Sequence, residues 1–340
     1  MTGKPLKKIT VFFLLLFVIL ILLNYWMDYE PNPHYPLQYD EVFHPKVNAD
    51  LIILGASQAT HGINPKYLEM EHLKVFNFAL DGAPPSFYLR WYHKIFSRYY
   101  RKPFYAIYAV HWVMFDDIFA PRQIEQDSKY FPFRFFIKEL RDIESLQTLL
   151  FNRFAFSKRR KDVLSILFTR RGEIYPKAKY YNGFIPFRER KKLRKTEVVN
   201  PKVNPVQLKA FIQLLNDLKK DGVKVIFVQI PGYLYGREDQ NILKNVQLLK
   251  GIAEKRGIPF LDYETERVSS INMNPDLFAD WTHMNEKGSE AFSKQLGHDL
   301  RELLRKEIER EGQPGGRLPA SDPTSRKDGG QVNWGEKDDI

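Results

Sequence analysis

The sequence Ala-Asp-Leu-Ile-Ile-Leu-Gly-Ala-Ser occupies residues 49–57. Its apolar, partly β-branched run predicts a short strand that is buried on both faces, as in a parallel sheet. Ser57 follows at the carboxyl end of this strand, which is the edge where open parallel sheets bind their ligands. The serine hydroxyl is therefore either exposed at a ligand-binding edge or only the cap of the following helix.

Four more apolar runs predict strands, and the segments between them have helical periodicity. Gly222 and Gly257 each follow a predicted helix and precede a strand, where a C-terminal glycine cap is expected. This alternation predicts an α/β fold with a doubly wound, parallel, five-stranded sheet. The further strands are predicted at 74–79, 104–110, 223–230 and 259–262, and the helices at 86–100, 205–221, 239–256 and 287–310.

The N-terminus contains an uninterrupted apolar run from Ile9 to Leu23, preceded by three lysines and followed by acidic residues. With its aromatic flank the run reaches the ~17–25 residues of a membrane-spanning helix. The charge asymmetry places residues 1–8 in the cytoplasm and everything after Met27 outside. A cleaved signal peptide is the alternative, but no small-residue cleavage pattern follows. Residues 9–27 are therefore predicted to be a signal anchor, which makes the protein a single-pass protein of the cytoplasmic membrane.

Three other regions differ in composition from the α/β alternation. Residues 28–48 are rich in proline and predict an extended stalk. Residues 116–204 predict an insertion, within which 153–195 hold fifteen basic and three acidic residues. This cluster favours an anionic envelope polymer or lipid as partner, and the near-neutral remainder argues against nucleic acid. Residues 312–340 predict a disordered tail, so that the α/β domain covers 49–311.

A second pattern lies just before the last predicted helix, where Asp280 precedes His283 by three residues. A serine nucleophile needs a base that takes its proton, and the base needs a carboxylate that fixes its tautomer. One short loop can supply both groups. Alternatively, Asp280 is a helix cap and His283 an ordinary loop histidine.

Together, Ser57 after the first strand and Asp280-x-x-His283 before the last helix resemble the end blocks of the SGNH/GDSL hydrolases. The resemblance implies a flavodoxin-like SGNH fold with Ser57, Asp280 and His283 as catalytic triad. Residues 77–82 resemble the family's second block, which implies that the backbone N–H groups of Ser57 and Gly82 donate to the oxyanion. The third block departs from the family because His111 stands where an asparagine is usual. His111 is the candidate third donor.

An anchor joined to such a domain is similar to the D-alanyl transfer protein of teichoic acid modification and to polysaccharide O-acetyltransferases. This layout implies an extracytoplasmic serine acyltransferase or esterase acting on O-acyl groups of envelope polymers, with a multi-span O-acyltransferase as possible partner. Hydrolysis and transfer remain open. The alternative function is a non-catalytic scaffold or binding subunit, which the departure at His111 favours.

No cofactor or metal is expected. The chain has no cysteine, so disulfides and thiolate metal sites are excluded. His61, His72 and Asp81 match no compact metal-ligand spacing and are interpreted as solvated or core residues. Asp116 and Asp117 are interpreted as helix caps, and aromatic residues such as Tyr99, Phe104 and 131–136 as core.

Overall fold

The computed structural model describes residues 3–27, 41–42, 48–70, 73–97, 101–116, 180–187, 202–233, 240–267 and 269–310. The predicted tail at 312–340 and most of the stalk lie outside these residues. So does the greater part of the basic insertion, together with His72, Tyr99, Asp117 and 131–136.

Five parallel strands form one sheet in the order β2-β1-β3-β4-β5. This is the flavodoxin-like strand order, and it confirms the predicted doubly wound α/β fold. Each strand lies inside its predicted range. The strands are β1 (Leu51–Leu54), β2 (Val75–Asn77), β3 (Tyr105–Val110), β4 (Lys224–Gln229) and β5 (Phe260–Asp262).

Helices connect the strands at nearly the predicted positions. Gly222 and Gly257, with φ of 76° and 63°, end α4 and α5 as predicted. The predicted helix 86–100 is α-helical only to Trp91 and continues as a π-helical turn, Tyr92–Phe96. The helices are α1 (Gly3–Met27), α2 (Ser57–Gly62), α3 (Pro85–Trp91), α4 (Pro205–Lys220), α5 (Gln240–Arg256), α6 (Ser270–Met273) and α7 (Glu286–Arg310), with 3₁₀ turns at Pro65–Tyr67 and Pro275–Leu277.

Between Ile9 and Leu22, the large apolar side chains of α1 are exposed. The side chain of residue 21 is not described. Within the described residues, no helix is both long enough and apolar enough to cross a membrane.

The sheet is covered on both faces, because side chains alternate along each strand. Ile52 and Leu54 of β1 pack with α3, α4 and α5 in one apolar cluster. Leu51 and Ile53 point to the opposite cluster, which contains Ala59 of α2 together with the inner face of α7. Helices α2 and α7 therefore share one face of the sheet.

Between its two described ends, Asp116 and 202–204, the described part of the predicted insertion is a short turn, residues 180–187, that packs against β2. The backbone N–H of Asn77 donates to the carbonyl of Asn182, and the side chains of Tyr181 and Asn182 bind Glu69. Gly183 has φ of +86°, and a Cβ there would lie 1.8 Å from the carbonyl oxygen of Asn77. Only glycine fits this turn.

We expect Gly183→Ala to lower the free energy of unfolding by ~2–4 kcal/mol, because both the φ angle and the contact with Asn77 become unfavourable. Gly251→Ala is the matched control. Gly251 lies inside α5 with no atom within 4 Å of the added methyl, so we expect ~0.5–1 kcal/mol of stabilisation. Urea unfolding measures both effects, and hydrogen exchange reports whether residues 180–187 detach locally. Unchanged stability and protection in Gly183→Ala would contradict this packing.

Candidate functional site

Ser57 is the first residue of α2, directly beyond the end of β1. The turn before it is tight: Gly55 has φ of +148°, and a Cβ there would lie 2.9 Å from Cβ of Ala109 on the neighbouring strand. The absence of a side chain at Gly55 lets the turn pass close to β3. Ser57 is thereby held, half-exposed, at the carboxyl edge of the sheet.

The structure brings Ser57, His283 and Asp280 together. Ser57 Oγ lies 2.8 Å from His283 Nε2, and His283 Nδ1 lies 3.0 and 2.9 Å from the two carboxylate oxygens of Asp280. Because a carboxylate accepts only, Nδ1 carries the proton and Nε2 presents its lone pair to the serine hydroxyl. The arrangement fits a serine whose proton can be taken by the histidine.

Asp280 is fixed by its own loop. Its Oδ1 atom accepts the backbone N–H groups of Thr282 and His283, each at 2.9 Å. Burial acts to raise the pKa of Asp280, but the hydrogen bond and charge of His283, with these N–H groups, hold that pKa well below the usual range. Asp280 is therefore ionised and available to orient the imidazole.

The loop that contains Gly82 is tied to the serine turn by Tyr88. The Tyr88 hydroxyl donates to the carbonyl of Gly55 at 2.6 Å and accepts the backbone N–H of Leu80 at 3.0 Å. Asn77 ties the same loop to α2, because its amide donates to the carbonyls of Ala59 and Ile63 and accepts from Ala79. The sequence pattern indicated residues 77–82. Tyr88 belongs to no motif, and its role is revealed only by its contacts in the structure.

His111 lies at the end of β3 and lines the same cavity as Ser57 and His283. Its Nδ1 accepts the backbone N–H of Val113, so the remaining proton sits on Nε2, which is buried and has no hydrogen-bond partner among the described residues. Burial, with a smaller effect of His283, lowers the pKa of His111 to about 3. The ring is therefore a neutral N–H donor near the serine.

His61, one helical turn after Ser57, has a role that its sequence position did not indicate. Its Nδ1 lies 2.7 Å from the carbonyl oxygen of Ile185, and its Nε2 lies 3.0 Å from a carboxylate oxygen of Asp81. Both partners are acceptors, so the buried ring bridges two acceptor groups that lie on different loops. The prediction of a core histidine is refined, because His61 joins α2, the Gly82 loop and the 180–187 turn.

The same turn reaches the catalytic candidate directly. The ring of Phe187 stacks on His283 with centroids 4.8 Å apart and planes 11° from parallel, and it meets His61 edge-on at 4.7 Å. Phe187 therefore covers one face of the base. No sequence motif marked it.

Other residues singled out in the sequence lie elsewhere. Asp116 accepts the backbone N–H of Lys202 at 2.8 Å, which holds the two ends of the insertion together. The prediction that Asp116 caps a helix is replaced by this clasp. Phe104 packs against one of the core clusters, as expected. Among the described residues, no group of three or more His, Asp or Glu side chains could hold a metal ion.

No protein-family model matches the chain, and no curated protein matches it significantly. Solved structures similar to it include a GDSL-like lipase from Bacteroides thetaiotaomicron, with 11% identity and a TM-score of 0.39 over 82% of this chain and 100% of that one. A lipase/acylhydrolase from Enterococcus faecalis has 10% identity and a TM-score of 0.37 over 74% and 94%. A catalytic mutant of an acetylxylan esterase from Geobacillus stearothermophilus has 11% identity and a TM-score of 0.37 over 75% and 96%. Likeness at this level decides no chemistry, so the case for the site rests on its own geometry.

The lowered pKa of Asp280 makes the stability of the protein depend on pH. A carboxylate with a depressed folded-state pKa contributes stability above its unfolded pKa, near 4, and this contribution is lost as pH falls further. We expect Asp280→Asn to lower the free energy of unfolding by ~1–2 kcal/mol at pH 7 and to make the loss below pH 4 shallower. Urea unfolding at pH 2.5–7 measures this, with Asp276→Asn, at an exposed carboxylate of the same region, as control. An acid limb of the same slope in Asp280→Asn would contradict the pairing.

Proposed function

We propose that this protein is a serine-dependent acyl-transfer enzyme, an esterase or acyltransferase, in which Ser57, His283 and Asp280 form the catalytic triad. The observation that carries the proposal is the continuous hydrogen-bonded chain from Ser57 Oγ through His283 to Asp280. The alternatives of a helix cap and a solvated histidine do not explain why all three groups meet with the lone pair of Nε2 facing the hydroxyl.

In the proposed reaction, Ser57 Oγ attacks the carbonyl carbon of an ester while its proton passes to His283 Nε2. Asp280 stabilises the resulting imidazolium. The tetrahedral intermediate then collapses, the bond to the leaving alcohol breaks, and the alcohol takes the proton from Nε2. An acyl group remains on Ser57, and water or an acceptor hydroxyl removes it by the same steps in reverse.

We assign the developing oxyanion to three N–H donors: the backbones of Ser57 and Gly82 and the ring of His111. Two properties of His111 support its assignment. The proton of its neutral ring lies on Nε2, and that buried atom has no other partner in the part of the chain that the structure describes. A neutral donor in this position can replace the asparagine of the resembled family, and one such donor is worth ~2.7–4 kcal/mol of transition-state stabilisation.

An enzyme is favoured over the scaffold alternative, because a scaffold does not require a serine, a histidine and an ionised carboxylate to be joined by hydrogen bonds. Between hydrolysis and transfer, the layout of anchor and domain favours transfer to a hydroxyl of an envelope polymer. The basic cluster at 153–195 is proposed to attract such a polymer or anionic lipid, and a multi-span O-acyltransferase is the proposed protein partner.

We expect a fluorophosphonate probe to label wild-type protein at Ser57 and to leave Ser57→Ala unlabelled. Asp280→Asn should label on the order of 10⁴-fold more slowly, because the imidazole no longer holds the required tautomer. Ser57→Ala with His283→Ala should lose about as much ester turnover as either change alone, since the three residues act as a unit. Near-wild-type labelling of Asp280→Asn at pH 7, with the fold intact by circular dichroism, would refute the triad.

We also propose that residues 9–27 anchor the enzyme in the cytoplasmic membrane with the α/β domain outside. The lysines before the apolar run, the acidic residues after it and the exposed apolar side chains of α1 support this. We expect the full chain to stay in the membrane fraction after alkaline carbonate extraction, and a chain beginning at residue 28 to be released. Protease added to spheroplasts should degrade the domain. A protected domain would exclude the topology, and extraction of the full chain would exclude the anchor.

A further inference from the structure

A cavity of about 280 Å³ opens beside Ser57 and His283 and extends toward the sheet. The described residues that line it include the buried Gly55 and Ala109, together with Tyr108. Two tryptophans, Trp112 and Trp281, also line it, and they belong to one small apolar cluster with ring centroids 6.4 Å apart and planes at 33°. The remaining lining residues are Ala56, Gln58, Ala59, Ala83, Pro84, Pro85, His111, Val113, Met114 and Thr282.

Among the described residues that line the cavity, none is Asp, Glu, Lys or Arg. Its ionisable side chains are Tyr108, His111 and His283. Burial raises the pKa of Tyr108 and lowers that of His111, so both stay neutral at pH 7. A charged group placed here would lose its hydration and find no counter-ion within the lining.

Resting on the proposed function, we infer that this cavity holds the acyl chain of the ester and selects a medium-length, uncharged hydrocarbon chain. One water takes about 30 Å³, so the cavity has room for roughly nine groups of that size. The methyl group of an acetyl ester would occupy only one of them. The ammonium group of an aminoacyl ester would be buried without a partner.

The acyl side of the ester suits this cavity better than the alcohol side. An acyl chain ends in a methyl group, and this end can pack against the buried residues Gly55 and Ala109. The alcohol of an envelope polymer continues in both directions and requires an open path to solvent. Trp112 is also fixed by its neighbours. Val246 packs against it, and the side-chain amide of Asn245 donates to the Trp112 carbonyl at 2.9 Å.

The first test is turnover of p-nitrophenyl esters, with the Ser57→Ala rate subtracted as blank. We expect kcat/KM to rise about four-fold per methylene from acetyl to hexanoyl, the effect of burying one methylene. The isobutyryl ester should exceed the D-alanyl ester, its isostere with an ammonium in place of a methyl group, by at least ~10-fold. Equal turnover of acetyl, D-alanyl and octanoyl esters would overturn the inference.

A substitution that fills the cavity sharpens the test. In Val113→Phe the added ring occupies the space of several methylenes, and we expect the octanoyl-to-acetyl ratio of kcat/KM to fall at least ~10-fold. Val206→Phe is the matched control, because Val206 is 62% exposed at the start of α4 and is not among the described residues that line the cavity. Its ratio should equal that of wild type. An unchanged ratio in Val113→Phe, with an unchanged melting temperature, would also overturn the inference.

Binding without turnover separates this inference from the proposed reaction. Calorimetry should detect octanamide binding to Ser57→Ala and its loss in Ser57→Ala with Val113→Phe. Octanamide binding without any fluorophosphonate labelling of wild type rejects the reaction but keeps the ligand class of the cavity. Labelling at Ser57 without octanamide binding rejects the cavity assignment alone. Absence of both rejects both.

Discussion

The hydrogen bond between Ser57 and His283 joins loops that are 226 residues apart in the chain, and most of the fold is needed to make it. Parallel strands end at one edge of the sheet, so the loop after β1 is already at the edge where a site can form. Helix α7 must then deliver His283 to that edge. It does so by packing on the same face as α2, where the Ser293 hydroxyl accepts the backbone N–H of Asn64 and donates to the carbonyl of Gly62. The serine helix and the histidine loop are thus one packed unit.

The sequence predicted the sheet and the three triad candidates because both depend on local patterns. The buried run 51–54 announces a parallel strand, and the three-residue spacing of Asp280 and His283 places acid and base on one loop. Tyr88 could not be predicted in this way, since its role depends on Gly55 and Leu80 meeting across the sheet edge. Phe187 is similar: a single aromatic residue in a basic segment gives no signal before its segment is placed. The predicted domain bounds, the stalk and the tail stay predictions.

Residues 180–187 change the meaning of the insertion. The turn is fastened to Asn77, Glu69 and His61, and its last described side chain stacks on His283. These contacts distinguish the insertion from one that lies only on the surface, because the chain returns to His283. The ring of His61 adds to this arrangement, because its centroid lies 6.3 Å from that of His283 and its two nitrogens contact the insertion and the Gly82 loop. The insertion therefore contributes side chains to the candidate site, together with the strands and helices of the α/β fold.

In the proposed reaction, the removal of water from the cavity affects both the oxyanion donor His111 and the specificity for the acyl group. The apolar walls that bury His111 keep its ring neutral, and only a neutral ring with its proton on Nε2 donates without adding a fixed charge beside the base. The same low-dielectric surroundings strengthen the hydrogen bonds to a developing oxyanion. They also make a permanent charge on the acyl group costly, since it would be buried at all stages and not only in the transition state. The layout of anchor and domain resembles proteins that transfer D-alanyl or acetyl groups, but layout is shared across functions whereas the lining of a cavity acts on the substrate itself. For the acyl group, the cavity is therefore the stronger guide.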